Sequence, residues 1–449
     1  MTVDIVLTDA KAWLKGEVVE CCFAINEGKI LKIGNEPNMP VADEKSSLQH
    51  MLVLPGIVDA HVHLRDEEKA YKETFLTGTS AAAAGGVTTV LDMPNNSPIT
   101  MNVVALKNRI QIAQGRVLIN VGFYSAFPSS VEEMKDIVAE GAVGFKLFMA
   151  EQIGGLNIDD DEAIKNGLKQ AAELGVTVAV HAEDHQMVSK ASDELKFRNE
   201  DDVNAILKAH DESVELWAVE RMLDILPQID DSHVHFCHLS IGKALRAVYE
   251  AKESGKAVTC EVTPHHLNLT KSDFTRFGTM ALTTPPLRTK ENMDALWKGI
   301  VENTVDTIGS DHAPHALEEK ESRNIWEVNA GIPGLETTLP LILTSVHTGK
   351  LTLTRAVELL SEKPAEIFGL IDKGKLEQGK AADLVVVDFN RKYRIDASKF
   401  KSKAKFSPFD KWTVQGKPVK TYLGGHLVMD EGEIVANPGS GCIIRGAQL

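Results

Sequence analysis

The chain has few of the features that mark secreted, membrane or nucleic-acid-binding proteins. It has five cysteines, an odd number without a repeating spacing, so no disulfide framework or paired-cysteine metal site is predicted and a cytoplasmic location is expected. Lys and Arg total 48 against 64 Asp and Glu, and a net charge of −16 argues against nucleic acid or an anionic membrane as a partner. The apolar patch at 81–84 is far below the ~20 residues of a membrane span, and residues 1–10 do not resemble a signal peptide.

The remaining composition is that of an ordinary globular protein. Of the 449 residues, 43% are hydrophobic and 25% are charged, which allows a large buried core. The length exceeds one minimal domain of roughly 100–200 residues, although a single barrel could fill about 250. Histidine is the residue type that stands out, with 15 copies unevenly placed.

Short β-branched runs alternate with stretches of helical character through the middle of the chain. The runs lie at 57–63, 87–93, 117–123, 142–148, 176–182, 233–239, 258–264 and 305–310, and the helical stretches include 69–86, 129–140, 160–174, 212–226, 241–254 and 290–303. Eight strand–helix units predict a parallel (β/α)8 TIM barrel of the α/β class. Both ends read as antiparallel strands. We therefore predict a barrel over 54–374 and a small composite β-sandwich domain built from 1–53 and 375–449.

Histidines lie where such a barrel keeps its chemistry, at the carboxyl ends of the strands. His61 and His63 end the first run, His181 the fifth and His238 the sixth. Residues i and i+2 of a strand point to one side, so His61 and His63 form a ready pair for a divalent metal. The alternative is a chance HxH. A second HxH, at 233–235, lies at the opposite end of its strand and is read as packing.

Lys146 lies inside an apolar strand, where a charge is costly unless it is answered. Its stem could carry the ammonium out to a carboxylate. Alternatively, carbon dioxide could carbamylate the amine, which turns it into an anionic group that bridges two metals.

Asp311 follows the eighth run and could either cap the next element or ligate a metal and accept a proton. Six residues from five strand ends then form a predicted ligand set for two divalent ions. They are His61, His63, Lys146, His181, His238 and Asp311.

At these residues the chain resembles the cyclic amidohydrolases of the amidohydrolase superfamily. The stretch PGIVDAHVHLRD at 55–66 is similar to the family's opening metal motif. Further similar stretches are GGVTT (85–89), MPNN (93–96), GFKLF (144–148), VHAE (180–183), CHLS (237–240), TPHHL (263–267), PPLR (285–288), SDHAPH (310–315) and GKAADL (379–384). The resemblance implies a binuclear metal site, two zinc ions bridged by carbamylated Lys146, and Asp311 as general acid and base.

Within the family, the residues most resemble those of the dihydroorotases. There, the positions of Arg65 and Asn95 bind the substrate's carboxylate, His315 matches a substrate-binding histidine, and Gly331 lies in a loop whose backbone reaches the ligand. Arginine suits this role because its planar fork matches a carboxylate. Arg65 could instead pair with Asp66 or Glu67, and Asn95 could serve the turn alone.

Three departures from the family pattern bear on substrate recognition. Glu67 and Glu68 stand where Pro-Gly is usual, Asn96 where Thr is common, and Thr284 where Asn precedes PPLR. Thr284 is still expected to bind the substrate, since a backbone contact would survive the change. Allantoinases share much of this framework but generally lack the arginine.

The resemblance implies a dihydroorotase reaction in pyrimidine biosynthesis, by attack of a metal-held hydroxide. An allantoinase, hydantoinase or dihydropyrimidinase is the alternative, and an inactive scaffold is a remote one. The expected partners are a small-molecule substrate, dihydroorotate or N-carbamoyl-aspartate, and a second copy of the chain in a homodimer.

Overall fold

The structure is a computed structural model that describes residues 2–226 and 233–446, and its strands form two separate sheets. The strands are β1 Val3–Leu14, β2 Glu17–Asn26, β3 Lys29–Gly34, β4 Ala42–Ser47, β5 Leu52–Pro55, β6 Ile57–Val62, β7 Val87–Asp92, β8 Asn120–Ala126, β9 Gly144–Phe148, β10 Thr177–His181, β11 Val234–Phe236, β12 Val258–Val262, β13 Thr307–Ile308, β14 Leu384–Arg394, β15 Thr413–Leu423, β16 His426–Asp430, β17 Glu433–Ile434 and β18 Ile443–Ile444.

The α-helices in the described residues alternate with the strands of the middle segment. They are α1 Phe75–Ala84, α2 Val103–Ala113, α3 Met134–Glu140, α4 Asp161–Glu173, α5 His185–Phe197, α6 Val203–Ala209, α7 Glu212–Ile225, α8 Gly242–Glu253, α9 Pro264–Asn268, α10 Phe274–Phe277, α11 Lys290–Val301, α12 Thr338–His347, α13 Leu353–Val357 and α14 Lys363–Ile367. Aspartates begin α4 to α7, where their side chains accept main-chain N–H groups of the first turn. No helix among these residues is both long and apolar enough to cross a membrane.

The strands β6 to β13 form the predicted barrel. They lie side by side in chain order, and each neighbouring pair is parallel. The ring is nearly closed, because a bridge from Val62 to His312 joins the first strand to the segment after the last. Apolar β-branched side chains suit these strands because nearly all their residues are buried. The predicted fold class is confirmed, and every predicted run overlaps one barrel strand.

Both ends of the chain contribute to the second sheet. Its order is β17-β16-β15-β14-β5-β1-β2-β3, with β4 beside β1, and most neighbouring pairs are antiparallel. Strand β5 reaches Pro55, just past the predicted boundary at 53, and β18 pairs with β8 of the barrel instead of the small sheet. The domain boundaries stay a prediction, and their outer ends at residue 1 and at 447–449 lie outside the described residues.

Candidate active site

One cavity at the carboxyl end of the barrel collects all the residues that the sequence singled out. It has a volume of about 730 Å³, which suits a small organic ligand. The predicted residues that line it are His61, His63, Arg65, Asn95, Lys146, His181, His238, Thr284, Asp311, His315 and Gly331. These residues come from seven strand ends or the loops after them, so only the closed barrel brings them together.

The histidines and Asp311 turn their ligand atoms toward one another. Asp311 Oδ1 lies 3.4 Å from His61 Nε2 and 3.2 Å from His63 Nε2. On the other side, His181 Nδ1 lies 3.0 Å from His238 Nε2, and the His61 and His238 rings are 5.2 Å apart. His238 and Asp311 have left-handed backbones, with φ of 35° and 45°, a conformation that side-chain-bearing residues rarely adopt outside turns and functional sites.

Groups behind three of the four histidines fix the direction of their rings. The Nδ1 of His61 lies 2.8 Å from Glu261 Oε1, and His63 Nδ1 lies 2.7 Å from Asn95 Oδ1. His181 Nε2 lies 2.9 Å from Glu183 Oε2. An imidazole that donates one N–H to such a partner presents its other nitrogen for ligation.

Glu261 and Glu183 also belong to this site and are not among the predicted residues. Glu261 is a carboxylate within the buried strand β12, so the argument applied to Lys146 could have identified it. Glu183 stands two residues after His181 in a stretch that was noted only for its family resemblance. Both carboxylates have a lowered pKa. Burial alone would raise it, but His61 outweighs burial for Glu261, whose pKa falls to about 2, and His210 and His181 do so for Glu183.

Lys146 is fully buried, and its amine reaches no carboxylate in the described part of the chain. Its Nζ donates to Cys237 Sγ at 2.9 Å and lies 5.2 Å from the centre of the Phe148 ring. The alternative in which the stem carries the charge out to an acid therefore does not occur. The amine ends inside the cavity that holds the histidines.

The donor set fits divalent cations. His61, His63 and Asp311 each offer one ligand atom within 4.8 Å of the others. Burial lowers the pKa of His63 to about 4 and that of His238 well below its usual value, which favours the neutral imidazole that binds metal. Within residues 2–226 and 233–446, the buried Nδ1 of His238 has no hydrogen-bond partner. Imidazole and carboxylate donors in this number are typical of zinc sites.

Arg65 faces the cavity and forms no ion pair with a carboxylate in the described residues. Its Nε donates to Pro314 O at 3.3 Å, and its Nη2 lies 3.3 Å from His315 Nε2. The alternative of pairing with Asp66 or Glu67 does not occur, because Asp66 accepts the main-chain N–H groups of Glu67 and Phe75, while Glu67 pairs with Arg109. Burial, assisted by the charge of Arg65, lowers the pKa of His315 far below its usual value, so this ring is neutral.

The remaining predicted residues complete the wall beside Arg65. Asn95 turns its Oδ1 to His63, which leaves its Nδ2 available to a ligand. Gly331 has a φ of 137°, and a Cβ there would lie 2.6 Å from Ala313 O, so only glycine fits. Its N–H and C=O are bound to Leu282 O and Lys320 Nζ.

Two lysines in this wall were not predicted. Lys69 Nζ donates to Asn95 O at 2.7 Å, and Lys72 Nζ lies 3.1 Å from His315 Nδ1. Burial and then Arg65 lower the pKa of Lys69 to about 8. Lys72 is paired with Glu319, whose Oε1 lies 2.8 Å from its Nζ. Arg65 and Lys69 have no such carboxylate partner in the described residues, so this side of the cavity favours an anionic group of the ligand.

Comparison with known proteins gives likenesses over nearly the whole chain. A model described as "Amidohydrolase family" matches residues 52–428. A protein named dihydroorotase from Methanothermobacter thermautotrophicus is 40% identical over 418 residues, which cover 93% of each chain. Another of that name from Methanosarcina mazei is 34% identical over 452 residues, covering 99% of this chain and 98% of the relative. The solved L-hydantoinase (dihydropyrimidinase) from Arthrobacter aurescens superposes with a TM-score of 0.94 at 30% identity, covering 99% of this chain and all of that one.

Proposed function

Because the chain belongs to the amidohydrolase family and is a cyclic amide hydrolase, we propose that it is a dihydroorotase. Its reaction would be the reversible cyclisation of N-carbamoyl-L-aspartate to (S)-dihydroorotate with loss of water, in pyrimidine (UMP) biosynthesis. The observation that carries this proposal is Arg65, a buried guanidinium that lines the cavity without a carboxylate partner in the described residues. A substrate with its own carboxylate would form an ion pair with this guanidinium.

Two divalent metal ions, zinc by the nature of the donors, would be held by His61, His63, His181, His238, Asp311 and carbamylated Lys146. When bound, such ions polarise a carbonyl and lower the pKa of water toward neutrality. Lys146 suits carbamylation because its buried amine has no carboxylate partner in the described residues and ends among the histidines. The product of that reaction, a carbamate, would supply the bridging oxygens.

The protein's own groups would bind and orient the substrate. Arg65 can present two parallel N–H bonds to the substrate's carboxylate, and Asn95 Nδ2 can add a third donor. The neutral ring of His315 packs behind Arg65 and holds its guanidinium in place. Thr284 and Gly331 also line the cavity and would bound the ring of the substrate.

Asp311 would move the proton. In hydrolysis, the oxygen of a water molecule forms a bond to the ring carbonyl carbon, the C–N bond breaks, and one water proton must reach the leaving nitrogen. Asp311 is ionised, since His61 and His63 outweigh burial and hold its pKa well below the usual value. It can therefore accept that proton from water and deliver it to the nitrogen. In the biosynthetic direction the same steps run in reverse.

The alternative is another cyclic amidase, an allantoinase, hydantoinase or dihydropyrimidinase. It is favoured by the close superposition on the L-hydantoinase. The substrates of these enzymes do not carry the ring carboxylate, so they would leave Arg65 and Lys69 without an anionic partner in the described residues.

A substrate panel tests the proposal. The purified protein, supplied with zinc and bicarbonate, is assayed on dihydroorotate, allantoin and hydantoin side by side, with metal content measured on the same sample. We expect turnover of dihydroorotate alone. Turnover of allantoin or hydantoin alone would reject the substrate while retaining the cyclic amidase, and protein without metal or activity would revive the scaffold alternative. A homodimer and a cytoplasmic location stay predictions, and sedimentation measures the first.

A further inference from the structure

The two segments that carry Arg65 and Asn95 are joined side chain by side chain. We call them the 67–69 turn, which follows Arg65, and the 95–97 turn, which begins with Asn95. Glu67 accepts from Asn96 Nδ2 at 2.5 Å, Glu68 accepts from Ser97 Oγ, and Lys69 Nζ donates to Asn95 O at 2.7 Å. The main-chain N–H of Glu68 also donates to Ser97 O at 3.3 Å. Each residue of the 67–69 turn thus forms a hydrogen bond with a residue of the 95–97 turn.

The backbone that leads into the 67–69 turn is in an unfavourable conformation. Arg65, Asp66 and Glu67 have φ of 57°, 56° and 50°, which is the left-handed region that residues with a Cβ seldom occupy. Proline, which the family pattern places at position 67, fixes φ near −65° and could not adopt this path. Glu67 and Asn96, which both differ from the family pattern, are therefore related. The two side chains bind each other and support a backbone conformation that proline excludes.

Arg109 anchors Glu67 from inside the protein. This fully buried side chain donates from Nη1 to Glu67 Oε2 at 2.5 Å, and from Nη2 and Nε to Asp92 Oδ2 at 2.6 and 3.0 Å. Asp92 in turn accepts the main-chain N–H of Leu64, the residue before Arg65, at 2.7 Å. The Arg109 guanidinium also lies 4.7 Å from the centre of the Phe75 ring. Arg109 therefore holds both ends of the left-handed segment, Glu67 directly and Leu64 through Asp92.

We propose that Glu67 is a positioning residue for substrate recognition, which fixes the distance between Arg65 and Asn95 by joining the 67–69 turn to the 95–97 turn. The inference rests on the proposed function, in which both residues bind one carboxylate. A planar carboxylate needs its donors in place at the same time, and a small displacement of one of them weakens binding steeply. Among the described residues no metal ligand contacts Glu67 directly, and the link to His63 runs only through Asn95, so the loss of Glu67 should weaken substrate binding more than turnover.

The test compares two replacements of Glu67 with a replacement elsewhere. Glu67→Ala removes the contacts of the carboxylate with Asn96, Asn108 and Arg109. We expect KM for dihydroorotate to rise at least about tenfold while kcat stays within about threefold. Glu67→Gln keeps a carbonyl oxygen that can accept from Asn96 and Arg109, so its KM should lie between those of Glu67→Ala and the unchanged protein. The control is Asp306→Asn, which breaks the ion pair with Lys252 at the other end of the barrel and should lower the melting temperature without changing KM.

A variant of the partner residue keeps the test decisive if Glu67→Ala does not fold. Asn96→Thr removes the same contact from the other side, and we expect it to raise KM as well, with little further rise when it is combined with Glu67→Gln. If the unchanged protein turns over dihydroorotate and all these variants keep its KM, the inference is overturned and the proposed function stands. If the unchanged protein does not turn over dihydroorotate, both are overturned.

Discussion

Replacing Arg65 with methionine should separate recognition of the substrate's carboxylate from the chemistry of the ring. Methionine has a similar length and no charge, so it removes the guanidinium with little change in volume. Of the five N–H bonds of an arginine side chain, one is used on Pro314 O, and one of the Nη2 hydrogens at most is used on His315 Nε2, which lies 3.3 Å from Nη2. The Nη1 group and the second hydrogen of Nη2 are left for the substrate.

The size of the effect follows from those free donors. Hydrogen bonds to a charged partner contribute about 1.5–3 kcal/mol, and the value is highest where water is excluded, as it is around the buried Arg65. A loss of about 2–3 kcal/mol in the transition state corresponds to a fall in kcat/KM for dihydroorotate of about 30- to 150-fold. A ring without the carboxylate makes none of these bonds, so its kcat/KM should change by less than about threefold.

The assay measures kcat/KM for dihydroorotate and for dihydrouracil, which has the same ring without the carboxylate. Where dihydrouracil is turned over too slowly, its inhibition constant against dihydroorotate replaces the rate. Arg246→Met, on the exposed face of α8, is the matched control and should behave like the unchanged protein. Equal losses on both ligands would refute the reasoning, since Arg65 would then support the site as a whole.

Four further perturbations probe the rest of the site and the scaffold. Asp311→Asn should lower kcat at least ~100-fold, the low end for general acid–base catalysis; a rate near that of the unchanged protein excludes its role in proton transfer. Lys146→Ala should lose bridged metal, and elemental analysis that still finds two ions per chain would contradict the bridge. Glu261→Gln should weaken metal binding about 10- to 100-fold, because His61 loses the anion that orients its ring; equal affinity in a zinc titration would contradict this. Burial raises the pKa of Glu336 to about 8 from a usual 4.5. The folded state therefore binds this proton more tightly than the unfolded state, and the free energy of unfolding falls as pH rises from 4.5 to about 8. Glu336→Gln should make the melting temperature less dependent on pH there, and an unchanged slope would argue against it.

Hydrophobic pattern and histidine placement were enough to predict the barrel and its proposed metal ligands. Parallel strands buried on both faces must be apolar and β-branched, so β6 to β12 stand out in the sequence. The helical stretches named from the sequence do not include α2, α5, α6, α9, α10 or α12 to α14. The ligand types are chemically distinctive, and in a barrel a position at the end of a strand already implies a place in the site.

The groups that orient those ligands could not be predicted from position alone. Glu261 acts on His61 from 200 residues away along the chain, and nothing local in either segment indicates the pair. Asn95 was predicted to contact the substrate, but only the structure shows that its Oδ1 faces His63. Lys69 and Lys72 reach the cavity because the backbone turns left-handed at Arg65 to Glu67, which no propensity favours.

The sequence by itself determined the fold class, the kind of ligand atoms and the presence of an arginine suited to a carboxylate, because each depends on residue type and periodicity. The tertiary structure alone decided which partner each charged side chain has. Arg65 is left without a carboxylate in the described residues because Glu67 is taken by Arg109 and Asp66 by main-chain N–H groups. Whether a charged side chain forms an ion pair within the protein or remains available to a ligand depends on distances across the closed barrel. Those distances arise only when all eight strands have assembled.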